Sequence, residues 1–275
     1  MTVHSDWGDW LPRAVADADP DGLAIWYLGC NGFVLKAAEG TTVFVDPYLG
    51  TGDPPRTVRM IPIPFAPEDV VAADAVLATH EHTDHTHGPS QAPILTGTDA
   101  TFFGPSASVE IADGWREDHA VDPDDVAEVS EGDTLEIGSL SIHVEPAHDP
   151  DADHPVSYVV ECEAGTFFHG GDARPSEAFE AIGSAYDIDL AVAAFGSSGT
   201  IPDKETREPA YTKWYSDENM AAEAANQLQT ERLLPTHWDM WKGLTADPTV
   251  LFDHVRSFEY PRTVEILEIG DRTDL

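Results

Sequence analysis

Lysine is nearly missing from this chain: Lys36, Lys204, Lys213 and Lys242 are the only four. All basic residues together number 14 against 51 acidic ones, a formal net charge of −37. Nucleic acids and anionic membrane surfaces are bound through basic patches, so neither is an expected partner. Cysteine is scarce too. Cys30 and Cys162 make neither a disulfide framework nor a paired metal motif. No run approaches the roughly 18 consecutive apolar residues of a membrane span. MTVHSDWGDWLPRAV, at the N-terminus, has no basic region leading into an apolar stretch, so no signal peptide is expected and a cytoplasmic setting is the default.

What is present excludes a disordered acidic chain. Hydrophobic residues make up 41% of the sequence, with 7 Trp, 7 Tyr and 11 Phe. The composition instead fits a folded, halophilic protein. At molar salt the Debye length falls to about 3 Å, which screens repulsion across an acidic surface.

Patterning predicts one α/β domain over residues 1–275, with two packed sheets and helices outside. AIWYLG (24–29), FVLKAA (33–38) and TVFVD (42–46) read as successive strands, with Asn31-Gly32 as a turn signal. DAVLAT (74–79), TLEI (134–137), LSIHVEP (140–146), SYVVEC (157–162), TFFHG (166–170), DLAVAAF (189–195) and RLLPTH (232–237) read as further strands. Helices are expected over 105–112, 175–183, 217–229 and 248–258, and residues 200–215 read as an added loop.

Residues 79–88, THEHTDHTHG, concentrate four histidines just after the apolar run DAVLAT. His80 and His82 are two apart. In extended backbone they face the same side and can reach one cation. Asp84 and His85 follow where a helix is expected to begin, and diverge toward a second cation. Four residues do not close two sites. His148 (EPAHDPDADH), Asp172 (FFHGGDARPS) and His237 (LLPTHWDMW) each follow a predicted strand and supply the missing donors.

In this order the seven residues resemble the metallo-β-lactamase superfamily, and within it the L-ascorbate-6-phosphate lactonase group. The stretches that carry the resemblance are DWGDWL, IWYLGCNGFVLK, DAVLATHEHTDH, FFGPSASVE, FHGGDA and LLPTHWDMWKGLTADP. The resemblance implies an αββα sandwich with two divalent metal ions, manganese or zinc, at one edge. His80, His82 and His148 would hold the first ion; Asp84, His85 and His237 would hold the second; Asp172 would bridge. Asp149 is the alternative to His148. Asp46, in FVDP, would accept a ring N–H from a ligand histidine.

Such a centre lowers the pKa of a coordinated water toward about 7 and suits hydrolysis of an ester-like bond, with a sugar lactone as first expectation. Asp84 or Asp172 would orient the nucleophile or carry its proton. The expected partner is a small-molecule substrate, with homo-oligomer formation open. If the substrate is anionic, Arg56, Arg59, Lys204, Arg207, Lys213 and Lys242 are the candidate cations. A phosphodiesterase or nuclease of the same superfamily is disfavoured by the charge. A metal-binding protein without turnover is disfavoured because all seven positions keep ligand-capable side chains. Simpler roles are expected elsewhere. Cys30 packs at a Gly-flanked turn, His143 and His154 are not ligands, and His87 is exposed or supports the site. His169 lines the site or is simply packed, and Asp239 supports a ligand histidine or caps a helix.

Overall fold

The computed structural model describes residues 3–196 and 198–275. A short helix, α1 (Trp10–Asp17), leads into three antiparallel strands: β1 (Leu23–Gly29), β2 (Gly32–Ala37) and β3 (Thr42–Val45). Parallel strands β4 (Ala75–Leu77), β5 (Thr101–Gly104) and β6 (Val126–Glu128) extend the sheet, with helices α2 (Gly88–Gly97), α3 (Ser106–Asp113) and α4 (Trp115–His119) between them.

A second sheet begins with β7 (Thr134–Ile137), β8 (Leu140–Pro146), β9 (Val156–Cys162) and β10 (Gly165–His169), all antiparallel neighbours. It continues in parallel through β11 (Leu190–Ala194), which follows helix α5 (Glu177–Ala185). After the separate hairpin of β12 (Ser198–Pro202) and β13 (Pro209–Lys213), helix α6 (Glu218–Gln227) leads into β14 (Arg232–Thr236). Helix α7 (Leu251–His254), β15 (Thr263–Val264) and β16 (Arg272–Asp274) finish the chain. The strand orders are β16-β1-β2-β3-β4-β5-β6 and β15-β14-β11-β10-β9-β8-β7.

The sheets pack face to face through Ile25, Phe33, Leu35, Val43 and Leu77 on one side and Ile142, Val144, Tyr158, Phe167 and Val192 on the other, all buried. Fully burying one such aliphatic or aromatic side chain contributes about 1.5–3 kcal/mol. The outer face of the first sheet is covered by α1, α2 and α4 through Leu11, Leu95 and Trp115; α5 and α6 cover the second through Phe179, Ile182 and Leu228. This is the expected αββα sandwich. No helix among the described residues is long and apolar enough to cross a membrane.

The structure differs from the sequence reading in particular places. Residues 200–215 are not a featureless loop but include most of the β12–β13 hairpin, paired from Ser198–Lys213 to Pro202–Pro209. The helix expected over 248–258 breaks into a 3₁₀ turn (Pro248–Val250), one α-turn and another 3₁₀ turn (Val255–Ser257). Helix α2 begins at Gly88 rather than at Asp84; residues 80–87 are turns, with the His85 and Thr86 amides both donating to the His82 carbonyl.

Candidate metal centre

The centre lies where several strands end on one edge of the sandwich. Parallel pairing of β3 with β4 sets Val45 opposite Leu77, which puts Asp46 beside Thr79. Parallel pairing of β10, β11 and β14 sets His169 opposite Val192, and Ala194 opposite Thr236. Asp172 and His237 therefore emerge on either side of the end of β11. Asp172 reaches inward because Gly171, at φ +56°, turns the chain against Thr79; a Cβ at Gly171 would meet the Thr79 hydroxyl at 2.6 Å. Three non-glycine residues here also have left-handed backbones: Cys30 (φ 60°), Asp46 (φ 46°) and His237 (φ 62°). Each costs of order 1–3 kcal/mol, and such strain clusters at functional sites.

Hydrogen bonds fix the imidazole tautomers, and the bare lone pairs then converge. The Asp46 carboxylate accepts the Thr79 amide at 2.8 Å, the Thr79 hydroxyl at 2.7 Å and the His85 Nδ1–H at 2.7 Å. With its hydroxyl proton given to Asp46, Thr79 Oγ1 accepts from His80 Nδ1 at 3.0 Å. His82 Nε2 donates to the Asp151 carbonyl at 3.0 Å. What remain are His80 Nε2 and His82 Nδ1, bare and 2.9 Å apart, and His85 Nε2, 3.3 Å from Asp172 Oδ1 and without a hydrogen-bond partner. His237 Nε2 is 3.0 Å from the same Asp172 oxygen. Lone pairs facing one another at such distances require a proton or a cation between them.

The electrostatics agree. Burial, aided by the neighbouring His85 charge, pushes the His80 pKa well below the usual histidine range. Burial also opposes a charge on His85, but Asp172 and Asp46 outweigh it and hold its pKa well above that range. Burial would raise Asp172, yet His237 and His85 hold its carboxyl well below the usual carboxylate range. Burial and the Asp172 charge push Asp149 up. Without a cation the crowded carboxylates are balanced by a proton on His85, and a divalent cation would take the place of that charge.

The donors fall into three overlapping groups: His80, His82, Asp149 and Asp172; His85, Asp172 and His237; and Cys30, Asp84 and His237. Within each, one donor atom per residue lies within 4.8 Å of the others. Six of the seven expected ligands thus meet, with Asp172 shared by two groups. His148 is the one that does not join them. It is exposed and belongs to none of these groups, and its carbonyl accepts the Arg174 amide at 2.8 Å. The chain turns after β8, so adjacent residues face opposite ways. Asp149 is the one turned inward, held by the Asp151 amide on its Oδ1 at 3.1 Å. Its Oδ2 stands 3.7 Å from His80 Nε2 and 3.8 Å from His82 Nδ1.

Neighbours missed by sequence reasoning complete the surroundings. Asn31 donates to Asp172 Oδ1 at 3.4 Å; its own oxygen accepts from Thr236 at 2.8 Å, and its carbonyl accepts from His169 Nε2 at 2.9 Å. His169 is therefore packed behind the site. Tyr215 stacks on His237 at 4.1 Å and accepts the Trp241 indole N–H at 3.2 Å. His87 is half-buried, bonded to Ser90 at 2.6 Å, with Tyr48 against its ring. His143 is bonded to Glu161 at 2.8 Å, and neither it nor His154 joins a donor group. Asp239 is pushed up to about 6 by burial, and its Oδ1 has no partner. Among the candidate cations, Arg59 is committed to the carbonyls of Tyr48, Ile61 and Pro62, and Lys213 to Asp217. Arg56 lies over the Trp214 ring at 5.0 Å. Arg174, not singled out by sequence, donates to the Trp214 carbonyl at 3.0 Å and lies 3.9 Å from Asp151.

Comparison with known proteins identifies the fold and the family. A probable L-ascorbate-6-phosphate lactonase of Escherichia fergusonii is 28% identical, the match covering 90% of this chain and 79% of that protein. Among solved structures, the metallo hydrolase Igni18 of Ignicoccus hospitalis superposes with a TM-score of 0.68 at 20% identity, over 92% of this chain and 98% of that one. CmlA, a diiron β-hydroxylase from Streptomyces venezuelae, superposes at 0.65 with 18% identity, over 93% of this chain and 54% of that one. At these identities the two structures speak to the fold alone. The family model described as the beta-lactamase superfamily domain matches residues 41–238, and this chain belongs to that superfamily.

Proposed function

We propose that the protein is a metal-dependent hydrolase that opens a sugar lactone or a similar ester. The observation that carries this reading is the convergence of the imidazole nitrogens of His80, His82, His85 and His237 on the carboxylates of Asp172 and Asp149. The lactonase relative supports the substrate class.

His80, His82 and Asp149 would hold one ion, and Asp84, His85 and His237 another, with Asp172 between them. Manganese and zinc both suit nitrogen and carboxylate donors. Bound there, the ions would supply a water of lowered pKa and polarise the ester carbonyl. The chain's own residues do the rest. Asp46 and Thr79 lock the ring orientations of His85 and His80. Asn31 steadies Asp172. Asp84 is half-buried, so its carboxylate can reach a substrate-side nucleophile and carry its proton. Arg174 is half-buried beside the Trp214 carbonyl and Asp151, and the exposed part of its guanidinium would meet an anionic substituent of the substrate. The acidic surface fits work in a salt-rich cytoplasm.

The test is purification in molar salt, measurement of bound metal, and assay of lactone, phosphodiester and β-lactam hydrolysis with and without chelator. Lactone turnover abolished by chelation is the expected result. Phosphodiester turnover alone, or stoichiometric metal with no turnover, would replace this reading with a phosphodiesterase or a non-catalytic metal binder.

A further inference from the structure

We propose that the cavity between α1 and the outer face of the first sheet is a binding site for a small uncharged apolar molecule, similar in size to a benzene ring. The inference is independent of the metal centre, because no member of the three donor groups lines this cavity. Its volume is about 130 Å³, and it is partly open to solvent beside the exposed Val71. Leu11 and Val15 of α1 form one wall, Phe65 and Val70 another, and Val34 of β2 and Phe44 of β3 the floor. All six are buried.

Strand register explains the floor. Antiparallel pairing of β2 with β3 sets Val34 opposite Phe44 and Lys36 opposite Thr42. These four alternate positions share the face turned toward α1. Large apolar side chains at 36 and 42 would close the space. Lys36 instead crosses to the C-terminal end of α1, where its Nζ donates to the carbonyls of Val15, Ala16 and Ala18, each at 2.8 Å. A cation is favoured at that end of a helix. Lys36 thus acts as a strut that ties α1 to the sheet, and its aliphatic stem is what it shows to the cavity.

The chemistry of the lining selects the ligand. Among the described residues, Lys36 and Thr42 are the only polar side chains on it. The ammonium has three donors and no acceptor, and three carbonyls use them all. Thr42 Oγ1 has given its proton to the Gly40 carbonyl at 3.0 Å. A polar ligand would lose its hydration here without a donor to replace it. An ordered water needs about two to four polar partners, and an apolar cavity of about 150 Å³ stays dry and binds benzene or xenon.

The experiment titrates benzene into the full-length protein in molar salt and follows its methyl resonances and its melting temperature. Saturable shifts are expected at the methyl groups of Leu11, Val15, Val34 and Val70. A ligand that binds only the folded state stabilises it by mass action, so benzene at about ten times its dissociation constant should raise the melting temperature by about 3 °C. Val15→Phe places a ring in the cavity, and this variant should lose the response. Methyl groups that do not move in the wild type would overturn the proposal. So would an equal rise in melting temperature in wild type and V15F, which would put the ligand elsewhere. The wild-type methyl spectrum decides the matter even if V15F fails to fold.

Discussion

His85 Nδ1 and Asp46 Oδ2 lie 2.7 Å apart, both side chains fully buried, and this contact sets which nitrogen of His85 faces the centre. Asp46 also satisfies both Thr79 donors, and Thr79 in turn orients His80. One carboxylate that touches neither proposed ion therefore fixes a ligand in each position. Asp46→Asn should keep the fold, because asparagine tolerates the left-handed backbone found there. Its amide group cannot accept every proton the carboxylate accepts, so metal affinity should fall by about 10–100-fold. Equilibrium dialysis against zinc checks this, and unchanged affinity would show that the tautomers are set by something else.

Arg174 should separate substrate recognition from chemistry. Its guanidinium is held by the Trp214 carbonyl, and its Nε is buried without a partner. Hydrogen bonds to charged groups contribute about 1.5–3 kcal/mol, so Arg174→Ala should raise KM for an anionic lactone by about tenfold or more. A neutral lactone should show little change, and kcat should hold for both. Steady-state kinetics on matched lactones with and without a phosphate decide it; equal effects on both would make Arg174 a purely structural residue.

Much of this was legible in the sequence because clusters of histidine and aspartate are chemically conspicuous and strand exits are periodic. THEHTDH follows an apolar strand, and Asp172 and His237 follow others, so their placement could be read from pattern. His148 against Asp149 could not, because the choice depends on how the chain turns after Pro146, and a one-residue shift reverses which side chain faces inward. Cys30 and Asn31 were hidden for another reason. Asn31-Gly32 carries an ordinary turn signal, and nothing local reveals that this turn meets Asp172, 141 residues away in sequence. The hairpin in 200–215 was obscured by its polar, half-exposed strands, which have no apolar alternation to count.

Salt should stabilise the protein well beyond moderate ionic strength. With a net charge of −37, folding gathers acidic groups onto one compact surface. Screening shortens from about 10 Å at 0.1 M to about 3 Å at 1 M, so repulsion between neighbouring carboxylates keeps falling across that range. The melting temperature should therefore rise steadily from 0.1 M to 1 M potassium chloride. A flat profile would mean that the acidic surface is no burden to the fold and would remove the support for a salt-rich setting.

The exchange of His148 for Asp149 gives the most direct check on the centre's composition. His148 is exposed and offers only its backbone carbonyl to Arg174, so His148→Ala should leave metal content and activity near those of the wild type. Asp149→Ala should behave differently. Its carboxylate is buried beside His80 and His82 and faces the Asp172 charge, an arrangement unfavourable unless a cation lies among them. Removing it relieves that repulsion, so the metal-free D149A protein should be as stable as the metal-free wild type, or more so. Its metal occupancy should drop by about one ion per chain. Metal analysis paired with thermal melts after chelation reads both effects. Loss of metal in H148A with full occupancy in D149A would reverse the assignment and place the β8–β9 turn differently.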